Sequence, residues 1–203
     1  MKTNKFRNKY RIGSHRKPHW DYSSDAFYFL TIITQHRKCN LGEIKSETMI
    51  FSDFGKIVEI EWLKSFEIRN ELLLHEFVIM PNHLHAIMEI KNEKNVIGGE
   101  LPINPELPIT NKLLSIKRNS PIRLPKSISS FIAVFKSAVN TNIDNYIDEH
   151  KLTIPKYNRN NHFFQPDYHD HIIRDNYEYQ RIQNYIVNNP KIWNSDKLNN
   201  NNF

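Results

Sequence analysis

The order of elements legible in this 203-residue chain predicts an α+β fold, a ferredoxin-like antiparallel sheet with its helices on one face. Three observations lead there. Runs rich in β-branched and aromatic residues recur at 26 to 36, 71 to 80, 83 to 90 and 162 to 174. Segments with helical spacing of apolar residues fall between and after them. Pro81-Asn82 is a turn signal that joins the second and third runs too tightly for anything but an antiparallel hairpin.

Taken in order, "AFYFLTIITQH" reads as the first strand, and a short strand is expected near 43 to 51. Ser52 or Asp53 then caps a helix whose stripe is Ile57, Ile60, Trp62 and Leu63. "ELLLHEFVIM" and "HLHAIMEI" form the central hairpin. Residues 92 to 126, with Gly98, Gly99 and five prolines, read as a long surface loop. Ser127 caps the clearest helix, 127 to 147, with Ile128, Phe131, Ile132, Phe135, Val139 and Ile143 on one side. "HFFQPDYHDHIIR" reads as a last strand with an irregularity at Pro166. Asp175 or Asn176 caps a final helix that Pro190 stops, because the residue before a proline avoids helical backbone. The whole is taken as one domain over residues 1–203, with a basic arm at 1 to 20 and a frayed tail at 195 to 203.

Charge is distributed unevenly. The net charge is +6. Residues 1 to 20 carry Arg7, Lys9, Arg11, Arg16 and Lys17 among their bases with a single acid-free run through them, and 107 to 143 carries Lys112, Lys117, Arg118, Arg123, Lys126 and Lys136. Two basic tracts point to a polyanion held by phosphate contacts, most simply nucleic acid. Cys39 stands alone, which excludes an internal disulfide and a cysteine-based zinc site. No run approaches the roughly 18 apolar residues of a membrane span, and the start lacks the apolar core of a signal peptide, so no membrane association and a cytoplasmic location are expected.

The chemistry centres on "MPNHLHAIMEI". Side chains alternate across a strand, so His83 and His85 share a face with Ile87 and Glu89, while Leu84, Ala86, Met88 and Ile90 face the core. Two imidazoles on one face can share a divalent cation but cannot hold it alone. On the last helix Tyr185 and Asn189 are four residues apart and lie on one face. A phenol can attack phosphorus and a carboxamide oxygen can complete a metal shell. The structural alternatives are a core tyrosine and a helix-capping asparagine.

Together, "RKPHWDYSSDAFYFLTIITQHRKCNLGEI", "EFVIMPNHLHAIMEI", "SFIAVFKSAVN" and "HDHIIRDNYEYQRIQNYIVNNPKIW" resemble, in order and spacing, the REP-associated tyrosine transposases. These belong to the single-tyrosine branch of the HUH (His-hydrophobic-His) transposases and nickases, and the resemblance runs from about residue 16 to 193. It implies an HUH endonuclease-type fold, His83, His85 and Asn189 as ligands of Mg²⁺ or Mn²⁺, and Tyr185 as the nucleophile that attacks single-stranded or hairpin DNA. Many insertion-sequence relatives have Gln where this chain has Asn189. His171, in "YHDHIIR", matches a recurrent family segment and is a candidate site-supporting residue; Arg174 and Lys136 also match family positions. Insertion-sequence relatives are dimers and REP-associated ones also work as monomers, which leaves a homodimer as an expectation.

The chemistry implied is an in-line attack that leaves a 5′-phosphotyrosine and a free 3′-hydroxyl, conserving bond energy and needing no ATP. Arg7, Lys9, Arg11, Arg16, Lys17, Lys117, Arg118, Arg123 and Arg174 are the candidate phosphate contacts, with Trp20, Tyr22 and Tyr168 as candidate stacking platforms for unpaired bases. Three rivals remain: an RNA-binding module, a catalytically inactive transposase-like binding protein, and a metal-dependent hydrolase that uses water. The central strand presents histidines where an RNA-binding sheet presents aromatics, which disfavours the first.

Overall fold

A short antiparallel ladder, β1 (Lys5–Phe6) with β2 (Lys9–Tyr10), precedes the main body. The structure, a computed structural model, describes residues 5–6, 9–10, 17, 20–92 and 126–199. Then come β3 (Ala26–Ile33), β4 (Gly42–Lys45), β5 (Thr48–Phe51), α1 (Asp53–Glu67), β6 (Leu72–Met80) and β7 (His83–Ile90). They are followed by α2 (Ile128–Glu149), β8 (His169–Ile173) and α3 (Asn176–Asn188). The main sheet has the order β6-β7-β3-β8 with every neighbouring pair antiparallel. Two crossovers through α1 and α2 build that order, which is the ferredoxin-like arrangement expected from the sequence.

The core lies between the sheet and the two crossover helices. Tyr28, Leu30 and Ile32 of β3 and Leu84, Ala86 and Met88 of β7 meet Trp62 of α1 and Phe131, Phe135 and Val139 of α2. Ser52 and Ser127 cap α1 and α2, their hydroxyls accepting from the Gly55 and Ser130 N–H groups at 3.0 and 3.3 Å. Gly55 is required by a close approach, since a Cβ there would lie 2.0 Å from the Leu41 carbonyl oxygen.

The helix α3 departs from the expected one-sided layering. Its Ile182 and Ile186 pack on Ile87 of β7, Ile173 of β8 and Phe27 and Phe29 of β3, which is the opposite face of the sheet. Ile87 is an apolar residue on the histidine face, so that face needs a cover, and α3 supplies it. Three further expectations are corrected. Residues 43 to 51 form a hairpin rather than one strand, turning through Ser46 and Glu47 at φ 47° and 61° without the Gly or Asn that usually announces such a turn. The last strand is confined to 169–173, because Phe163 and Phe164 leave the ladder to enter the core, and only Phe164 bridges to Thr34. The chain past 195 is not frayed up to 199, since Trp193, Asp196 and Asn199 are buried. Among the described residues, no helix is long and apolar enough to cross a membrane.

Candidate active site

The site begins with the turn between β6 and β7. Asn82 is fully buried, and its amide Nδ2 donates to the carbonyls of Arg37 at 3.1 Å and Leu198 at 2.7 Å. That leaves its Oδ1 as the acceptor 2.8 Å from His83 Nδ1. The His83 proton therefore sits on Nδ1, and Nε2 keeps its lone pair. Nε2 is buried and has no hydrogen-bond partner among the described residues. On the same strand His85 Nδ1 lies 2.8 Å from Thr31 Oγ1 of β3, and the ring stacks on Phe29 with centroids 5.2 Å apart. The two imidazole centroids are 4.5 Å apart. Burial pushes both imidazoles down to about 3, so both are neutral at physiological pH.

Helix α3 carries its polar face over this pair. Asp175 caps it, accepting from the Glu178 N–H at 2.8 Å. Tyr185 stands at the edge of α3 with its hydroxyl 3.2 Å from His85 Nε2 and 3.4 Å from Asp196 Oδ2. Burial, and then the Asp196 charge, raises the phenol above its ordinary range. Asn189, one turn on, is buried and donates Nδ2 to Asp196 Oδ2 at 3.2 Å, which leaves Oδ1 buried without a partner among the described residues. Thus His83, His85, Tyr185 and Asn189, widely spaced in sequence, meet in one chain.

Asp196 is the site residue that sequence reasoning missed. It follows a 3₁₀ turn, Trp193–Ser195, accepts from the Leu198 N–H at 2.6 Å, and is buried. Its signal was present: it is the first acid after Pro190 and lies seven residues beyond Asn189. Ligand atoms of His83, His85 and Asp196 lie within 4.8 Å of one another, so this group can hold a metal ion. The fit rests on two orphaned lone pairs, on His83 Nε2 and Asn189 Oδ1, beside a buried carboxylate. Mixed imidazole and oxygen donors suit Mn²⁺ and, with water, Mg²⁺.

Among the described residues, the other candidates lie apart from this centre. His171 pairs with Phe29 in the ladder and its Nε2 lies 2.7 Å from Glu178 Oε1, which ties β8 to the first turn of α3. The Glu178 carboxylate also accepts from the Arg174 N–H at 3.0 Å, which holds that carboxyl below its usual range. Arg174 is exposed and lines a separate cleft of about 390 Å³ with Phe27, His75 and Tyr179. Lys17 places its ammonium 4.6 Å from the Trp20 ring centroid. Lys9 lies in β2, while its side chain and Arg7, Arg11, Arg16, Lys117, Arg118 and Arg123 lie outside the described residues. Tyr22 belongs to the core, Trp20 and Tyr168 pack half-buried against it, and the Trp20 indole donates to Tyr28 at 3.1 Å.

No protein-family model matches the chain. A Haemophilus influenzae protein described as uncharacterized is 32% identical over 195 residues, which span 94% of this chain and 97% of that protein. Among solved structures, a REP-associated tyrosine transposase bound to a REP hairpin aligns with a TM-score of 0.52 at 14% identity, over 92% of this chain and 77% of that one. The second likeness is one of fold.

Proposed function

This chain belongs to one family with the Haemophilus influenzae protein and has the fold of a REP-associated tyrosine transposase, and on that premise we propose that it is a metal-dependent single-stranded DNA transposase or nickase. It would cut and rejoin strands at hairpin-containing repeats through a 5′-phosphotyrosine. The observation that carries this reading is the approach of the Tyr185 hydroxyl to within 3.2 Å of His85 Nε2, beside two buried lone pairs with no partner among the described residues. A core tyrosine or a merely capping asparagine would not leave such donors aimed into one space. The hairpin carried by the structural neighbour supports hairpin DNA as the partner.

The chain's own groups divide the work. His83, His85, Asn189 and Asp196 would hold Mg²⁺ or Mn²⁺, with Asn82 and Thr31 orienting the two imidazoles. A bound divalent ion would supply charge neutralisation at the scissile phosphate. Tyr185 Oη attacks phosphorus, its proton leaves, the phosphorus–O3′ bond breaks and the departing O3′ is protonated. Rejoining reverses each change, which is why no nucleotide cofactor is needed. The basic residues Arg7, Lys9, Arg11, Arg16, Lys17, Lys117, Arg118, Arg123 and Arg174 would hold phosphates farther along the strand, and His171 would act indirectly by anchoring α3. With α3 bringing Tyr185 over histidines of its own chain, the proposed reaction uses the tyrosine and the histidines of the same chain. Incubation of the protein with end-labelled hairpin DNA and Mn²⁺ is expected to yield a covalent adduct, with none from Tyr185→Phe or His83→Ala. Cleavage that survives Tyr185→Phe but not His83→Ala would reassign the chain as a hydrolase that uses water.

A further inference from the structure

The cleft over the site does not end at Tyr185. Besides His85, Tyr185 and Asp196 it is lined by Thr31, Gln165, His169, Arg37 and Lys197, in a volume of about 560 Å³. Across Arg37 and Gln165 it meets a second cleft of about 520 Å³, lined by Gln35, His36, Arg37, Gln165, Pro166 and Asp167. Each is of a size that holds a small ligand, and the two share the Arg37 and Gln165 side chains.

Both walls at the junction are built rigidly. His36 and Arg37 have left-handed backbone at φ 58° and 52°, a conformation that non-glycine residues keep only where their surroundings impose it. Here it is imposed by Asn82, whose amide donates to the Arg37 carbonyl at 3.1 Å, and by the Arg37 N–H, which donates to Thr34 O at 3.0 Å. The side chain that fixes the His83 tautomer therefore also fixes the turn that carries Arg37. On the opposite wall the Lys136 ammonium reaches three consecutive carbonyls, of Gln165, Pro166 and Asp167, at 2.6, 3.3 and 3.1 Å. Lys136 is therefore a scaffold for this loop and not a solvated helix residue. His169 extends the site in the same direction, since it pairs with Thr31, which pairs with His85 in the same row of the sheet.

Resting on the strand-transfer reading above, we propose that the second cleft seats the nucleotide next to the scissile phosphate, with Arg37 as the clamp on that nucleotide's phosphate. A strand that crosses Tyr185 must lead its next phosphate along this groove or away from it. The site cleft and the second cleft share Arg37 and Gln165 in their linings, which puts a guanidinium on the route between them. The guanidinium fork matches two phosphate oxygens. Beyond it, the amides of Gln35 and Gln165 and the Asp167 carboxylate offer hydrogen-bonding partners to an unpaired base edge.

The test is a binding cycle on the full chain carrying Tyr185→Phe, with Mn²⁺ and oligonucleotides in which each phosphate flanking the cleavage point is replaced in turn by a neutral methylphosphonate. One flanking position is expected to lose about tenfold in affinity. Arg37→Gln is expected to lose a similar factor on the natural strand and nothing more on the strand neutralised at that position. Arg37→Lys, run in parallel in case the Gln substitution disturbs the turn, is expected to recover part of the loss on the natural strand only. Additive losses at every position would overturn the proposal, because a purely structural Arg37, acting through its bond to the Lys197 carbonyl at 3.1 Å, weakens all strands alike. Failure of strand transfer itself would show differently, as a missing adduct from the Tyr185 protein with the binding cycle intact.

Discussion

Replacement of Asn82 by Ala should damage the candidate metal site and the fold together, by separable amounts. Its side chain makes three hydrogen bonds in full burial, at 2.8, 3.1 and 2.7 Å. Each is worth about 1 kcal/mol net, and truncation strands the His83 N–H and two carbonyls, so a stability loss of about 3 kcal/mol is expected. Losing the partner that orients a metal-binding imidazole costs roughly 10- to 100-fold in metal affinity. Asn82→Asp separates the two effects. An Asp oxygen still accepts from His83 Nδ1, but nothing donates to the Arg37 and Leu198 carbonyls, so stability should fall while Mn²⁺ affinity stays within a few fold of wild type. Urea unfolding of the metal-free proteins and calorimetric Mn²⁺ titration of the folded ones measure the two quantities. Unchanged Mn²⁺ affinity in folded Asn82→Ala would refute the claim that this amide sets the His83 tautomer.

With metal removed, the folded chain refuses protons on His83 and His85 down to about pH 3, whereas the unfolded chain takes them up below 6.5. Stability should therefore be full above 6.5 and fall as pH drops, by up to about 1.4 kcal/mol per pH unit for each imidazole, and a flat urea midpoint between pH 6.5 and 5 would contradict the burial of these groups. Gly55→Ala should lower the melting temperature by about 5 °C despite the better helix former, because its Cβ would meet the Leu41 carbonyl at 2.0 Å and backbone cannot step aside; a gain in melting temperature would sink the close-approach argument. Asp196→Asn keeps the shape but removes the charge, and should weaken Mn²⁺ binding about tenfold, read by the same titration; equal binding would leave Asp196 outside the ligand set.

Much of the scaffold was legible because it obeys strict periods. The alternation in β7 separated His83, His85 and Ile87 from Leu84, Ala86 and Met88, and the structure places them on opposite faces. The four-residue spacing of Tyr185 and Asn189 likewise puts both beside Asp196. What escaped was tertiary. The sequence left the histidine face uncovered, and periodicity within α3 does not say that its Ile182 and Ile186 turn to Ile87 on that face. Helix α3 does end just before Pro190, but not for the expected reason, since Asn189 keeps helical backbone at φ -56° and ψ -43°; the return of the chain through Trp193 to Asp196 stayed hidden because a short 3₁₀ turn has no pattern of its own. Asn82 read as a turn former, and its reach to Arg37 and Leu198 depends on partners 45 and 116 residues away. The Ser46-Glu47 turn lacked a Gly or Asn for its left-handed positions, and Phe163 and Phe164 carried strand composition into an irregular core segment.

Whether the phenol of Tyr185 is the nucleophile can be read by mass spectrometry of the protein after reaction with hairpin DNA and Mn²⁺. A nucleotide mass joined through a 5′-phosphate to the peptide containing Tyr185 is expected, and it should be lost in Tyr185→Phe. An adduct on any other residue, or one that persists in the Phe protein, would contradict that role for Tyr185.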